Sequence, residues 1–222
     1  MPYLIAVLGF DERHVIKSLL RLGFKNVKKV YLIVPSARTT KQSEDAVKRI
    51  REVAELAGVS VVEVFDVDPL NFEESVNRIR RLLMSLCAGG EEITISLGGG
   101  MRALVIEALI AALLIPRELS SGVKVVSDLE TGEGFVEIRI ADLLMISELK
   151  FDELLILSYL LKKNVVGPTE INRDLNIPKT TAWKILSKLS NKGLLIKYGR
   201  EYKLSGTGNR VASIANELIK KL

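Results

Sequence analysis

Three consecutive glycines, Gly98–Gly100, lie between two apolar segments and are followed by Met101 and Arg102. The residues before them, Ile93–Leu97, alternate and are rich in β-branched side chains, which predicts a buried strand. The longer Ala- and Leu-rich segment after them predicts a helix. A glycine turn at this junction leaves backbone N–H groups unpaired at the positive end of the helix dipole, which favours an anion. In the first helical turn, Arg102 suits a bound phosphate better than it suits the helix.

The glycine turn also has a purely structural interpretation, in which it only lets the strand and the helix pack closely. Polar loops after the first two predicted strands bear on this choice. The apolar run Tyr3–Gly9 is typical of a strand buried on both faces, and the polar cluster Asp11–His14 follows it. Lys28–Val34 predicts the second strand, and Pro35–Thr40 then adds hydroxyl groups and one guanidinium. Asp11 is either a cap of the first helix or a ligand residue.

The elements that must position these loops alternate between strand and helix, which predicts an α/β fold. We expect a Rossmann-like, mostly parallel sheet with helices on both faces. In the common order 3-2-1-4-5, strands one and four are neighbours, and ligands bind beyond their carboxyl ends. The polar loops would therefore meet at one crevice. The residues predicted to bind a phosphate-bearing effector there are Gly9, Phe10, Asp11, Arg13, Ser36, Arg38, Ser96, Gly98, Gly99, Gly100, Met101 and Arg102.

Common enzyme signatures are missing from the sequence. The first strand is not followed by G-x-G-x-x-G, and there is no Walker A motif or nucleophile elbow. His14 is the only histidine, and it is either a polar residue at a helix N-terminus or a catalyst. Clustered His or Cys ligands for a metal are absent, and the single Cys87 excludes a disulfide framework. We expect no catalytic residue, no metal and no cofactor.

Charge is distributed unevenly along the chain. The formal net charge is +5, but from Phe151 onward 13 Lys and Arg stand against 6 Asp and Glu. This part favours a polyanion such as nucleic acid, with a basic solvated surface as the alternative. The most apolar stretch, Ala103–Ile115, is too short for a membrane span of about 20 residues. Without a basic leader, and with one cysteine, the chain is expected to be cytoplasmic.

The basic C-terminal part has the element order of a winged helix-turn-helix domain. Phe151–Lys163 predicts an amphipathic helix, and a short helix starts at Thr169. Pro178 suits the start of the next helix, Lys179–Asn191, and two short strands flank Tyr198–Glu201. We therefore expect an effector-sensing domain over residues 1–142, a linker over 143–150 and a smaller α+β winged helix domain over 151–222.

The helix at residues 179–191 is predicted to enter the major groove of duplex DNA. Thr180 and Lys184 can reach base edges, whereas Lys179 and Lys188 are better placed for phosphates. At the tip of the wing, Arg200 should reach an adjacent minor groove or its phosphates. The full set of predicted DNA-binding residues is Lys179, Thr180, Thr181, Lys184, Lys188, Lys197, Arg200 and Lys203.

Two features of this domain leave alternatives open. Trp183 either packs on the sugar backbone of DNA or turns back to cover the domain core, which we favour. The closing helix carries an apolar stripe that either packs on its own domain or adds to a dimer interface. The stripe consists of Val211, Ile214, Ala215, Leu218 and Leu222.

Both parts of the chain resemble known families. The segment TEINRDLNIPKTTAWKILSKLSNKGLLIKYGREYKLS, residues 169–205, resembles winged helix-turn-helix regulators of the MarR and ArsR kind. Gly9–Arg13 after strand one and SLGGGMR, residues 96–102, resemble the motifs of the CRISPR-associated Rossmann fold, or CARF, domain. Joined in one chain, they resemble the archaeal CRISPR-associated regulators with a CARF domain and a winged helix.

The resemblance implies a homodimer that binds a cyclic oligoadenylate, with cyclic tetra-adenylate the expected ring, across its two-fold axis. It also implies binding to promoter or leader DNA and control of the CRISPR array or cas genes in antiviral defence. Some members of the family cleave their cyclic ligand, so a slow ring nuclease is the alternative function. A nucleotide-dependent Rossmann enzyme and a winged helix that docks protein are further alternatives.

Overall fold

The computed structural model describes residues 1–36, 41–59, 62–129, 131 and 133–219. The chain divides into two compact units, residues 1–141 and 142–222. The first unit contains a six-stranded sheet. Its strands are β1 (Tyr3–Val7), β2 (Lys29–Pro35), β3 (Val62–Val67), β4 (Ile93–Ser96), β5 (Val123–Asp128) and β6 (Phe135–Arg139).

The strand order is β3-β2-β1-β4-β5-β6, which confirms the predicted Rossmann-like sheet. The first five strands are parallel, and β6 runs antiparallel to β5. In the register of β1 and β4, Ala6 is opposite Ser96. The two strands therefore end side by side, and the loops that follow them leave the same edge of the sheet at the point where the strand order reverses.

Four helices cover the two faces of this sheet. They are α1 (Arg13–Leu22), α2 (Lys41–Leu56), α3 (Phe72–Cys87) and α4 (Arg102–Leu113), with 3-10 turns at Phe24–Asn26 and Arg117–Gly122. Val15 and Leu19 of α1 share a core cluster with Leu4 and Ala6 of β1. Because helices pack on both faces, β1 is fully buried from Leu4 to Val7, as its continuous apolar sequence predicts.

The second unit has the winged helix-turn-helix architecture predicted from the sequence. Its helices are α5 (Ile140–Ser147), α6 (Phe151–Lys163), α7 (Pro168–Leu175), α8 (Lys179–Asn191) and α9 (Gly206–Ile219). The strands β8 (Leu195–Tyr198) and β9 (Glu201–Leu204) form the wing, and β7 (Val165–Val166) pairs with β9. The sequence analysis did not predict β7, because two residues carry too little pattern for a strand.

The segment predicted as a linker, residues 143–150, is largely ordered in helix α5. Met145 lies in the hydrophobic core of the second unit. Just before this segment, Asp142 accepts a hydrogen bond from Arg210 Nε at 2.5 Å. At the other end of the segment, Glu148 pairs with Lys192 at 3.7 Å. The side chains at both ends of α5 are therefore held by α8 and α9, and this segment belongs to the second unit.

The apolar stripe of the closing helix α9 is shared between the core and the surface. Val211 and Ala215 are fully buried within the unit. Ile214 and Leu218 remain 41% and 47% exposed, and Leu222 lies outside the described residues. Two of the four described residues of the stripe thus pack on their own domain, which was one of the two alternatives, and the other two remain partly exposed. Among the described residues, no helix combines the length and apolarity that crossing a membrane requires.

Candidate ligand cavity and nucleic-acid interface

A cavity of about 670 Å³ opens beyond the carboxyl ends of β1 and β4. The loops after these two strands, the first turns of α1 and the residues after β5 form its wall. Eight of the residues predicted from the sequence line it. They are Gly9, Phe10, Asp11, Arg13, Gly98, Gly99, Gly100 and Met101. The switch point of the sheet therefore brings together the two loops on which the site prediction rested.

The glycine loop packs directly on the ring of His14. A Cβ atom on Gly99 would lie 2.2 Å from His14 Cε1, and one on Gly98 would lie 3.0 Å from His14 Cβ. Gly100 has a φ of +96°, and a Cβ there would meet Val7 Cγ1 at 2.6 Å. Side chains at these positions are therefore excluded by packing. The structural interpretation of the glycines holds, and the same loop also forms the cavity wall.

His14 is buried, and its Nε2 atom lies 2.9 Å from the carbonyl oxygen of Val7. Because a carbonyl oxygen only accepts, Nε2 must carry a proton and donate it to Val7. This hydrogen bond fixes the ring between the end of β1 and the glycine loop. His14 therefore acts first as a packing residue of the cavity wall.

Asp11 and Arg13 form an ion pair at the cavity rim. Arg13 donates to Asp11 Oδ2 from Nε at 2.8 Å and from Nη2 at 2.6 Å, and Nε also donates to Oδ1 at 3.0 Å. The Arg13 backbone N–H also donates to Asp11 Oδ1 at 2.9 Å. The side-chain bond from Arg13, followed by the backbone bond, lowers the pKa of Asp11 to about 2. Asp11 thus orders the turn into α1 and remains a carboxylate that lines the cavity.

Two charged cavity residues, Lys17 and Asp128, were missed by the sequence analysis. Lys17 lies one helical turn after Arg13, and it makes no ion pair or hydrogen bond with the part of the chain that the structure describes. Asp128 is the last residue of β5 and pairs with Arg21. The spacing of Arg13 and Lys17 was a usable signal, because residues four apart share one face of a helix.

Four predicted effector residues do not line the cavity. Ser96 is buried and accepts a hydrogen bond from Ser18 Oγ at 3.0 Å, because its side chain faces α1 rather than the crevice. Ser36 and Arg102 are exposed outside the cavity wall. Arg38 lies outside the described residues. Within the described ranges, no group of three or more His, Cys, Asp or Glu side chains is arranged to hold a metal ion.

In the second unit, the N-terminal half of α8 presents an exposed polar and cationic surface. The two cations of this half, Lys179 and Lys184, form no ion pair with any residue that the structure describes. Thr180 and Thr181 are exposed beside them. Short polar residues and free cations near the start of a recognition helix suit contact with base edges and phosphates.

The wing adds a second cationic surface. Lys197 and Arg200 are exposed, and the Lys203 ammonium lies 4.4 Å from the centroid of the Tyr198 ring. This contact is a cation–π interaction, which leaves the aromatic ring half exposed. Among the described residues of the wing, Lys197 and Arg200 therefore have no ion-pair partner, whereas Lys203 contacts the ring of Tyr198.

The C-terminal half of α8 is bound into the domain. Lys188 Nζ lies 2.5 Å from Oε1 of the buried Glu153, whose Oε2 accepts the Lys150 backbone N–H at 3.0 Å. Burial of Glu153 opposes its ionisation, but the bonds from Lys188 and Lys150 outweigh it and lower its pKa. The Lys188 ammonium, which was predicted to contact a phosphate, thus has a protein partner in this structure. Lys188 holds the recognition helix to α6.

The favoured prediction for Trp183, that it turns back over the domain core, is wrong. Its side chain is 55% exposed and lines a groove of about 520 Å³ between α8 and the wing. Pro168 and Arg200 line the same groove. The core positions on α8 are filled by Ala182, Leu186 and Leu189, which leaves Trp183 on an adjacent flank. The alternative, contact with the DNA sugar backbone, agrees with this exposure.

These observations define a Rossmann-like domain with a ligand cavity, joined to a winged helix domain with a cationic recognition surface. Residues 2–139 match the family model of the Csa3 CRISPR-associated Rossmann-like domain. Residues 144–204 match the model described as sugar-specific transcriptional regulator TrmB. The chain therefore belongs to the Csa3 CRISPR-associated Rossmann-like family. This confirms the resemblance to CRISPR-associated regulators with a CARF domain and a winged helix.

Several solved structures are similar to this chain at low sequence identity. Csm6 of Enterococcus italicus, bound to cyclic hexa-2'-fluoro-hexa-dAMP, matches with a TM-score of 0.51 and 10% identity over 100% of this chain and 54% of that chain. Can2 of Sulfobacillus thermosulfidooxidans, in complex with cyclic tetra-adenylate, matches with a TM-score of 0.42 and 10% identity over 97% and 64%. Protein VC1899 of Vibrio cholerae matches with a TM-score of 0.44 and 13% identity over 97% and 65%.

The chain thus spans less than two thirds of the length of these structures. A search of curated proteins found no match.

Proposed function

We propose that this protein is a dimeric CRISPR-associated transcription regulator. It binds a cyclic oligoadenylate, with cyclic tetra-adenylate the expected ring, through the cavity at the ends of β1 and β4. It binds duplex DNA through α8 and the wing, and so controls the CRISPR array or the cas genes. The observation that carries this proposal is the pairing, in one Csa3-family chain, of a cavity at the Rossmann switch point with a cationic winged helix.

The chemistry of the cavity suits a nucleotide that carries phosphates. Lys17 supplies an ammonium that has no ion-pair or hydrogen-bond partner among the described residues, and the glycine loop brings its backbone to the cavity wall. Arg102 is exposed in the first turn of α4, next to the loop. A guanidinium and an ammonium at this edge favour a polyanion, and a nucleic-acid ligand would bring one negative charge with each phosphate.

The size of the cavity favours a ligand shared between two chains. Sites for small ligands occupy about 300–1,000 Å³, so one cavity of about 670 Å³ suits part of a cyclic oligonucleotide. Two cavities that face each other across a two-fold axis would hold a whole ring. We therefore expect one ring for each pair of chains.

Helix α4 offers a surface for this dimer. Its sequence from Ala103 to Leu113 is apolar except for Glu107, which is buried. On its outer side, Ile106 is 53% exposed and Leu114, just after the helix, is 52% exposed. A helix that is apolar all round is normally covered on every side. A second copy of the same helix would cover this surface in an isologous interface.

The N-terminal half of α8 would lie in the major groove, with Thr180 and Lys184 at base edges and Lys179 at a phosphate. Lys197 and Arg200 would reach the flanking backbone or minor groove. In a dimer, the two recognition helices must be about 34–36 Å apart to fit successive major grooves. An effector bound across the dimer axis would act by changing this separation.

Isothermal titration calorimetry of the full chain with cyclic tetra-adenylate tests the proposal directly. The ligand is then recovered and resolved by chromatography, which shows whether the ring is still intact. The proposal predicts saturable binding of one ring to two chains, with the ring recovered intact. Recovery of a linear product would favour the alternative of a ring nuclease. If neither cyclic tetra-adenylate nor other cyclic oligoadenylates bind, the proposed function is wrong.

A further inference from the structure

We propose that Asp128 selects the nucleoside part of the effector by accepting a hydrogen bond from it. The donor would be the adenine 6-amino group or the ribose 2'-hydroxyl group. This inference rests on the proposed function and adds to it the residue that distinguishes an adenosine-containing ligand from other phosphates. Neither the glycine loop nor the cations of the cavity can make that distinction, because both recognise negative charge.

The carboxylate of Asp128 is held in one orientation. Arg21 donates to its Oδ1 atom, and the side chain is only 12% exposed. The Arg21 guanidinium is itself fixed, because it lies 3.9 Å from the centroid of the Phe135 ring. The positive charge of Arg21, which does not line the cavity, is therefore directed at Asp128 and holds its carboxylate in place.

The second oxygen of this carboxylate lies next to the glycine loop that lines the cavity. Asp128 lines the cavity together with His14 and Lys17. Its Oδ2 atom lies 3.2 Å from the position that a Cβ on Gly98 would occupy. Within the described part of the chain, no donor forms a hydrogen bond with Oδ2. An ionised carboxylate only accepts hydrogen bonds, so Oδ2 requires an N–H or O–H group from the ligand.

A carboxylate is a poor neighbour for a bare phosphate, because two negative charges at contact distance repel each other. Its place in the same cavity as Lys17, which pairs with none of the described residues, therefore indicates a ligand that combines an anionic group with a hydrogen-bond donor. A nucleotide has both, since its phosphate is anionic and its base and ribose carry N–H and O–H groups.

Apolar side chains at the mouth of the cavity support a base at this place. Phe10, Met101 and Leu129 all line the cavity, and they are 61%, 39% and 47% exposed. Exposed apolar and aromatic side chains beside a cationic groove are the usual platform for a nucleobase. A base on this surface would place its polar edge, or its attached ribose, within the same cavity as Asp128.

A site built around such an acceptor should reject ligands that lack the donor, because the acceptor is then left unpaired. The test uses the full chain and calorimetry with three ligands. These are cyclic tetra-adenylate, its analogue without the 6-amino groups and its 2'-deoxy analogue. The wild-type protein should bind one of the two analogues about tenfold or more weakly, and that analogue identifies the donor. Equal affinity for all three ligands would overturn the proposal.

The variant Asp128→Asn completes a thermodynamic cycle with these ligands. It should bind cyclic tetra-adenylate about tenfold or more weakly than the wild type does. Its affinity for the analogue that lacks the donor should equal the affinity of the wild type for that analogue. Asp66→Asn is the matched control, because Asp66 is an exposed carboxylate of the same unit outside this cavity, and its affinities should equal those of the wild type. The same loss with every ligand would mean that Asp128 only shapes the cavity, which would overturn the proposal while leaving the proposed function intact. Wild-type protein that binds neither cyclic tetra-adenylate nor any other cyclic oligoadenylate would overturn both.

Discussion

The ring of His14 lies against the backbone of Gly99 so closely that a Cβ on Gly99 would be only 2.5 Å from His14 Nδ1. The ring cannot move away freely, since its Nε2 atom donates to the Val7 carbonyl oxygen at 2.9 Å. The end of β1, the start of α1 and the glycine loop are thereby joined through a single side chain. This contact sets the width of the cavity at the switch point of the sheet.

Gly99→Ala should therefore disturb the cavity without disturbing the rest of the fold. The added methyl group displaces the His14 ring and breaks its hydrogen bond, which costs about 1 kcal/mol or more. We expect a lower melting temperature and at least tenfold weaker binding of cyclic tetra-adenylate, measured by calorimetry. Gly206→Ala is the control, because a Cβ on Gly206 would meet nothing within 4 Å. Unchanged effector affinity in Gly99→Ala would show that this loop does not contact the ligand.

A charged residue on the outer side of α4 should dissociate the dimer. Ile106→Glu places a carboxylate on the exposed apolar flank, where burial without a partner is unfavourable. Sedimentation or light scattering should then give the 24.6 kDa mass of one chain, in place of twice that mass for the wild type. Leu56→Glu is the control, since Leu56 is 91% exposed on α2. A wild-type protein that remains monomeric at micromolar concentration would contradict the dimer.

The sheet order and the place of the cavity could be predicted because they depend on patterns within each segment. The alternation of strands and helices indicates parallel pairing, and parallel pairing places the loops after β1 and β4 together. Which neighbouring element a given side chain faces is not indicated by such local patterns. Ser96 was expected in the crevice, but strand alternation turns it towards Ser18 of α1. Asp128 was missed because only the pairing of β5 with β4 brings it to the cavity.

The partners of the cations on α8 could not be predicted from the sequence for a similar physical reason. Lys184 and Lys188 look alike in the sequence, because both are lysines of α8 outside its apolar core positions. Which cation is free depends on the partner that a neighbouring helix supplies. The buried Glu153 of α6 engages Lys188, whereas nothing in the described residues engages Lys184.

Lys184 and Lys188 should accordingly differ in their effects on DNA binding, although both are lysines on α8. Lys184→Gln should reduce the preference for operator over unrelated DNA by up to about 1–3 kcal/mol, the value of one good base contact. Lys188→Gln should leave the salt dependence of DNA binding unchanged, because its ammonium is already paired within the protein. Fluorescence anisotropy over a salt series measures both quantities. A shallower salt slope in Lys188→Gln would show that Lys188 binds a phosphate after all.

The ion pair of Glu153 should make the second unit sensitive to acid. Its pKa is lowered in the folded protein, so the contribution of this carboxylate to stability is complete above its ordinary unfolded pKa of about 4.3. That contribution is lost as the pH falls from there through the folded pKa. Glu153→Gln should therefore be less stable than the wild type at pH 7, with a difference that shrinks towards pH 3. Thermal unfolding followed by circular dichroism measures this, and a difference independent of pH would contradict the assignment.

The central claim, that an effector in the first unit controls DNA binding by the second, is tested most directly by one linked titration. A labelled duplex from the CRISPR leader or cas promoter of the source genome is titrated with the full chain, with and without saturating cyclic tetra-adenylate. The account predicts that the effector changes the DNA affinity by about fivefold or more, the usual range of allosteric coupling. Lys17→Ala should need about ten times more effector for the same change, because it lacks the free ammonium of the cavity. If saturating effector binds the protein but leaves the DNA affinity unchanged, the chain is not an effector-controlled regulator.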